Sequence, residues 1–215
     1  MSKSTFQANC KKCTRLADFL KTSKQKYPDY FCKPVPAFGD AKANFLIVGL
    51  APGLHGANAT GRPFTGDYAG ILLYETLHKF GFASKPQSIS VNDNLKLKNC
   101  RITNAVKCVP PANKPTSEEI KICSVYLKNE LYALPNASVV LGLGKIAHDS
   151  VIRSFDLKLS QHPFGHENVH KIGENSSQKL SLIDSYHCSR YNTQTKRLTK
   201  KQFEQVFKKV TVLLS

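Results

Sequence analysis

Residues 45–70 read FLIVGLAPGLHGANATGRPFTGDYAG, and the fold class turns on how this stretch is parsed. Phe45–Gly49 is short, aliphatic and bounded by turn formers, as a buried parallel strand is. The loop that follows holds, over residues 49–70, six glycines and two prolines together with His55, Asn58, Arg62, Phe64 and Asp67. Glycines let backbone N–H groups approach a ligand closely. Residues 68–80 (YAGILLYETLHKF) then place Ile71, Leu72, Tyr74, Leu77 and Phe80 largely on one face of a helix. Strand, glycine-rich loop and helix make one unit of a parallel α/β sheet. The glycine spacing does not fit G-x-G-x-x-G, and the loop lacks the lysine of a P-loop.

Working outward, three more runs read as central strands: Arg101–Asn104, Ser138–Leu143 and Leu180–Asp184. Helical patterns cover 117–133, with Thr116 or Ser117 as cap and Glu119 in the first turn, then 145–155 and 199–214, with Thr199 as cap. The alternation predicts an α/β fold, a three-layer α/β/α sandwich around a four-stranded parallel sheet, with residues 1–215 as a single domain. Residues 84–99 are polar and irregular and read as a loop, as do residues 156–179, which carry HPFGHENVH and GENSSQK. In such a sheet a site is expected at the carboxyl ends of the strands.

Three motifs fall there. The first is the glycine-rich loop. The second is RITNAVKCVPPANKP (101–115), whose Asn104 stands where a strand ends and can pair a donor and an acceptor with a base edge. Taken alone, a turn or cap role fits Asn104 as well. The third is SYHCSRYNTQTKRLT (185–199), with His187 followed by Ser189, Arg190 and Tyr191, residues suited to phosphate contact and insertion into a base stack.

Charge and cysteines add two pointers. Thirty-one Lys and Arg against 15 Asp and Glu give a formal charge of +16, a surface that attracts polyanions such as nucleic acid. No apolar run is long enough to span a bilayer and MSKSTFQANC lacks the apolar stretch of a secretion signal, so a cytoplasmic protein is expected. Seven cysteines are an odd count and cannot all pair. Cys10 and Cys13 form C-x2-C, and Cys108 and Cys123 form C-x14-C, so two distant pairs can meet as four thiolates. An iron–sulfur cluster and a structural zinc both suit that ligand set. Cys32, Cys100 and Cys188 are left over as thiols.

GLAPGLHGANATGRPFTGD, ITNAVKC, LGLGKIAH and HCSRYNTQTKRLT together resemble the uracil-DNA glycosylase superfamily, and within it the family-5 (type b) enzymes of archaea and bacteria. Leu50 stands where family-4 enzymes carry an acidic residue, which favours family 5. The resemblance implies a base-excision-repair enzyme that hydrolyses the N-glycosidic bond of uracil in DNA, with hypoxanthine and xanthine as further substrates. It implies DNA as partner, a monomer, and a nucleoid-associated prokaryotic setting. Residue by residue, it implies that Phe64 stacks on the flipped base, that Gly49, Ala51 and Asn104 shape the base pocket, and that His187 faces the uracil O2. Asp67 is then the catalytic carboxylate, because Ala51 occupies the place where well-known members of the superfamily carry an Asp. Ser189, Arg190 and Tyr191 contact DNA, with Arg190 or Tyr191 as the wedge. Cys10, Cys13, Cys108 and Cys123 hold a [4Fe–4S] cluster. This sequence departs from the family at Cys188, Lys196 and Glu167, where Pro, Gly and Gly are usual. Two other readings stand beside this one: a binding module that keeps the fold without activity, and a zinc deaminase, for which H-x-E and P-C-x-x-C are missing.

Overall fold

A computed structural model describes residues 6–173 and 179–215. The first five residues of MSKSTFQANC, and residues 174–178 of the expected loop over 156–179, lie outside the described residues. The elements in chain order are α1 (Thr14–Lys26), β1 (Phe38–Gly39), β2 (Phe45–Gly49), α2 (Ala57–Thr60), α3 (Tyr68–Lys79), β3 (Cys100–Asn104) and α4 (Ser117–Tyr132), then β4 (Val139–Leu143), α5 (Lys145–Ser154), β5 (Val169–Ile172), β6 (Leu180–Ser185), α6 (Arg190–Gln194) and α7 (Lys200–Leu214).

The sheet runs β1-β3-β2-β4-β6-β5. Its four inner strands are mutually parallel, and this is the four-stranded sheet expected from the apolar runs. Two antiparallel edge strands, β1 on β3 and β5 on β6, extend it to six. Neither edge strand was expected. β1 has only two residues. β5 lies in the segment read as loop, because an edge strand with one wet face shows His170 and Lys171 rather than an apolar run.

Every residue of β2 and β4 is buried, since helices cover both faces. The strand period of two sorts the side chains. Phe45 and Ile47 pack with Leu73 and Leu77 of α3 and with Phe203 and Phe207 of α7. Leu46 and Val48 pack with Leu127 of α4 and with Val151 of α5 on the opposite face. The helix starts follow their caps. Thr116 and Glu119 form a reciprocal capping box on α4, and Thr199 and Gln202 form one on α7.

α1 is a helix that the apolar pattern did not signal, because only Leu16, Leu20 and Ser23 of it are buried. Leu16 joins a third small core with Val106, Cys123 and Tyr126. The chain that leaves α1 lies along the glycine-rich loop: Phe31 N donates to Ala59 O and Cys32 N to Asn58 O, each at 3.0 Å. Residues 84–99 form the irregular loop expected, and it is pinned. Arg62 donates to both oxygens of Asp93, to Ser88 Oγ and to Val91 O, while the Asp93 carboxylate also accepts from the amides of Ile89, Ser90 and Leu95.

Candidate active site

The parallel register decides which residues meet. Gly49, the last residue of β2, sits opposite Asn104, the last residue of β3. A Cβ on Gly49 would lie 2.4 Å from Asn104 Oδ1 and 2.7 Å from the Phe64 ring, so glycine is what leaves room for both. Phe64 adopts a left-handed φ of 53°. That backbone brings its carbonyl against α3, where a Cβ on Gly70 would lie 1.9 Å from the oxygen. No other residue fits at position 70.

Asp67 is the N-cap of α3, its Oδ1 accepting from Gly70 N at 2.8 Å. Burial raises its pKa above the ordinary carboxylate value, while the amides of Gly70 and Ala69 pull the other way. Gly56 closes over the second oxygen, where a Cβ would come within 2.6 Å of Oδ2. Beyond β6, His187 stacks at 5.9 Å and 28° on Phe64, and its carbonyl accepts from Asn192 Nδ2 at 2.8 Å. Burial alone drives its imidazole from 6.5 down to about 4, so the ring is neutral at physiological pH. Asn104 is 4% exposed, and its Oδ1 is buried with no hydrogen-bond partner.

These side chains face one cavity of about 350 Å³, which Ala51, Ser189 and Arg190 also line. Of the residues singled out from the sequence, Gly49 does not line the cavity but packs closely behind Asn104 and Phe64, which do. Tyr191 stands outside it, 70% exposed. Arg190 lies at the rim with its guanidinium 5.1 Å from the Tyr68 ring. The cavity also recruits Asn113, which sequence reasoning missed. Ala112 and Asn113 both take left-handed φ values, 54° and 56°, in the short turn Pro111–Asn113. The signal for it was the Pro-rich PPANKP between the two later cysteines.

That segment ties the pocket to the cysteines. Cys10, Cys13, Cys108 and Cys123 all line a second cavity of about 20 Å³, together with Tyr126. Burial pushes the Cys108 thiol up to about 12, with the neighbouring Cys123, Cys10 and Cys13 adding to it. Cys123 is pushed to about 11 by burial, against the amide and charge of Lys107. Among the described residues, no three of these sulfurs lie within 4.8 Å of one another. Cys32, Cys100 and Cys188 are buried elsewhere. Cys32 accepts from Asn58, and Cys188 donates to the Ala69 carbonyl at 3.4 Å, under the first turn of α3.

Comparison with known proteins bears on this geometry directly. A sequence model described as "Uracil DNA glycosylase superfamily" matches residues 36–211. The chain belongs to that superfamily. A type-5 uracil-DNA glycosylase of Thermus thermophilus is 46% identical over 177 residues, 82% of this chain and 78% of the relative. A type-5 enzyme of Pyrobaculum aerophilum is 38% identical over 205 residues, covering 94% of this chain and 87% of its own. A type-4 uracil-DNA glycosylase of Archaeoglobus fulgidus is 33% identical over 206 residues, 94% of this chain and 86% of its own. The glycine-rich loop, Asn104 and His187 all fall within the matched superfamily region, whereas Cys10 and Cys13 precede it. No helix among the described residues is long and apolar enough to cross a membrane.

Proposed function

We propose that the chain removes uracil from DNA by hydrolysing its N-glycosidic bond, leaving an abasic site for base excision repair. One observation carries the reading: the unpartnered Asn104 Oδ1 at the floor of a cavity walled by an aromatic ring and a neutral histidine. A buried acceptor left unpaired costs about 1–3 kcal/mol unless a ligand supplies a donor. The imide N–H of uracil is such a donor. Cytosine presents a bare ring nitrogen there and sets acceptor against acceptor. Hypoxanthine and xanthine carry the same N–H beside C=O, which supports the wider substrate range.

Flipping the nucleotide costs about a few kcal/mol, offset by stacking of the base on Phe64 and by filling the gap in the helix. Tyr191, exposed and free of the pocket, suits the wedge, and Arg190 at the rim suits a phosphate. Bond cleavage develops negative charge on the base and positive charge on the sugar. The neutral ring of His187 can donate an N–H to the uracil O2, and Asp67 lies where a carboxylate would favour the cationic sugar and orient water.

The four cysteines fit a [4Fe–4S] cluster. Four thiols line one cavity, burial raises Cys108 and Cys123 above the ordinary thiol value, and bound iron would supply the compensating charge. Zinc fits less well, because a Zn–S bond of about 2.3 Å would hold tetrahedral sulfurs about 3.8 Å apart. When bound, the cluster supplies a cross-link between the N-terminal segment and the turn bearing Asn113. DNA, single- or double-stranded, is the partner, and the protein acts as a monomer in the prokaryotic cytoplasm.

Asp67 also caps α3, and its two roles separate experimentally. Asn caps as well as Asp does but carries no charge. Alkali-labile cleavage of uracil-containing oligonucleotides by the wild-type protein, lost in Asp67→Asn at unchanged melting temperature, supports the catalytic carboxylate. A folded wild-type protein that binds DNA but releases no uracil overturns the enzyme in favour of a binding module.

A further inference from the structure

A cavity of about 620 Å³, larger than the base pocket, lies apart from it. It runs between the N-terminal turn, one face of α1 and residues 32–34. Its floor includes Leu20 and Pro34, both buried, and its walls carry Lys11, Lys21, Lys24 and Lys33, all exposed. None of these four lysines forms an ion pair among the described residues, whereas Lys79, Lys107, Lys128, Lys145, Lys200 and Lys209 each hold a carboxylate.

At one end of this groove stands a ledge of three rings. Tyr27 and Tyr30 stack at 4.7 Å and 14°, and the edge of each meets His55, at 5.4 and 5.9 Å. Tyr30 Oη and His55 Nδ1 are 2.9 Å apart. Lys24 Nζ donates to the Tyr30 carbonyl at 2.6 Å, which joins groove to ledge. His55 belongs to the glycine-rich loop, between Gly53 and Ala57, which line the base pocket. Groove, ledge and pocket are therefore linked by successive contacts.

We infer that this groove and ledge hold the single strand of DNA that flanks the flipped nucleotide, with phosphates on the groove lysines and a neighbouring base on the Tyr27–Tyr30–His55 rings. The inference rests on the DNA-glycosylase reading of the pocket. Positive side chains along a groove with aromatic rings at hand are what unspecific single-strand binding requires, because every base has a face to stack and every phosphate a counterion to release. The apolar floor accommodates sugars, no carboxylate neutralises the lysines, and Lys24 keeps two further donors beside its bond to the Tyr30 carbonyl. The track runs over α1, the segment after it and His55, none of which lines the base pocket, so it lengthens the footprint without touching the chemistry.

The test uses the full chain, purified with its metal, and a long single-stranded oligonucleotide without uracil, followed by fluorescence anisotropy at several salt concentrations. Each lysine on a single-strand phosphate contributes about 0.7 to the slope of log K against log salt. Lys21→Gln, Lys24→Gln and Lys33→Gln together are expected to reduce that slope by about 2. Tyr30→Leu is expected to weaken binding about tenfold while leaving the slope unchanged, as loss of a stacked base does. A second triple variant, Lys158→Gln, Lys201→Gln and Lys208→Gln, removes the same charge elsewhere. Equal slopes for the two triple variants overturn the track. Failure of the glycosylase reading shows separately, as absence of uracil release by the wild-type protein.

Discussion

Two histidines a few residues from the ends of neighbouring strands show how differently burial can be used. Behind the loop of residues 162–170, His148 is fully buried with Nδ1 2.7 Å from Asp184 Oδ1 and Nε2 2.9 Å from the His162 carbonyl. His170 Nε2 at 3.3 Å and the amide of Gly165 complete the Asp184 carboxylate. Both ring nitrogens of His148 face an oxygen, and both oxygens of Asp184 are partnered. In the base pocket, by contrast, burial holds His187 well below its ordinary value, and Asn104 keeps an acceptor with nothing to accept from. Polar groups buried with partners hold the fold, and those buried without them wait for a ligand.

The comparison breaks most readily at Asp184. Asp184→Ala strands two imidazoles and an amide, and removing one partner of a buried pair costs about 3–5 kcal/mol. Calorimetry should show a melting temperature lower by roughly 10 °C, at about 2–4 °C per kcal/mol for a chain of this size. Asn104→Ala tests the opposite class. Uracil release should fall about 100- to 1000-fold, as for loss of a group that contacts the reacting base. Its melting temperature should stay level or rise, because no hydrogen bond is lost with the orphaned oxygen.

The pH dependence sharpens the contrast further. His187 is depressed from 6.5 to about 4, so between those values the unfolded chain takes up its proton and the folded one does not. Stability should therefore decline as pH falls from about 6.5 towards about 4, with no contribution from this residue above that window. His187→Gln should flatten the decline in denaturant titrations across that range. The smallest effect is expected at Tyr191. Tyr191→Ala should slow excision from duplex DNA about tenfold and leave single-stranded substrates nearly untouched, since only a duplex has a gap to fill.

How much of this was legible in the sequence follows from the same physics. The parallel strands announce themselves, because β2 and β4 are buried on both faces and must be apolar throughout. β5 does not, because an edge strand can afford Lys171. α1 does not, because it needs only a thin apolar stripe to dock beside the cysteines. The number of glycines pointed to the first loop, but only the folded chain shows that Gly49, Gly56 and Gly70 clear space for Asn104, Asp67 and the Phe64 carbonyl. Arg62 stood among the loop's notable polar residues, yet it spends its donors on the 84–99 loop and lies over the Phe38 ring at 4.4 Å. Asn113 was out of reach because its place depends on two consecutive left-handed residues.

The strand order has a consequence for when the molecule becomes dangerous to DNA. Phe64 and Asp67 follow β2, Asn104 ends β3, and His187 follows β6, which reaches β2 only through β4. A chain emerging from the ribosome therefore carries its aromatic wall and carboxylate long before residue 187 has been made. Until the fourth parallel strand seats, the pocket has no histidine side. The order of the strands acts as an interlock, completing the pocket only when β6 has joined β4 in the sheet.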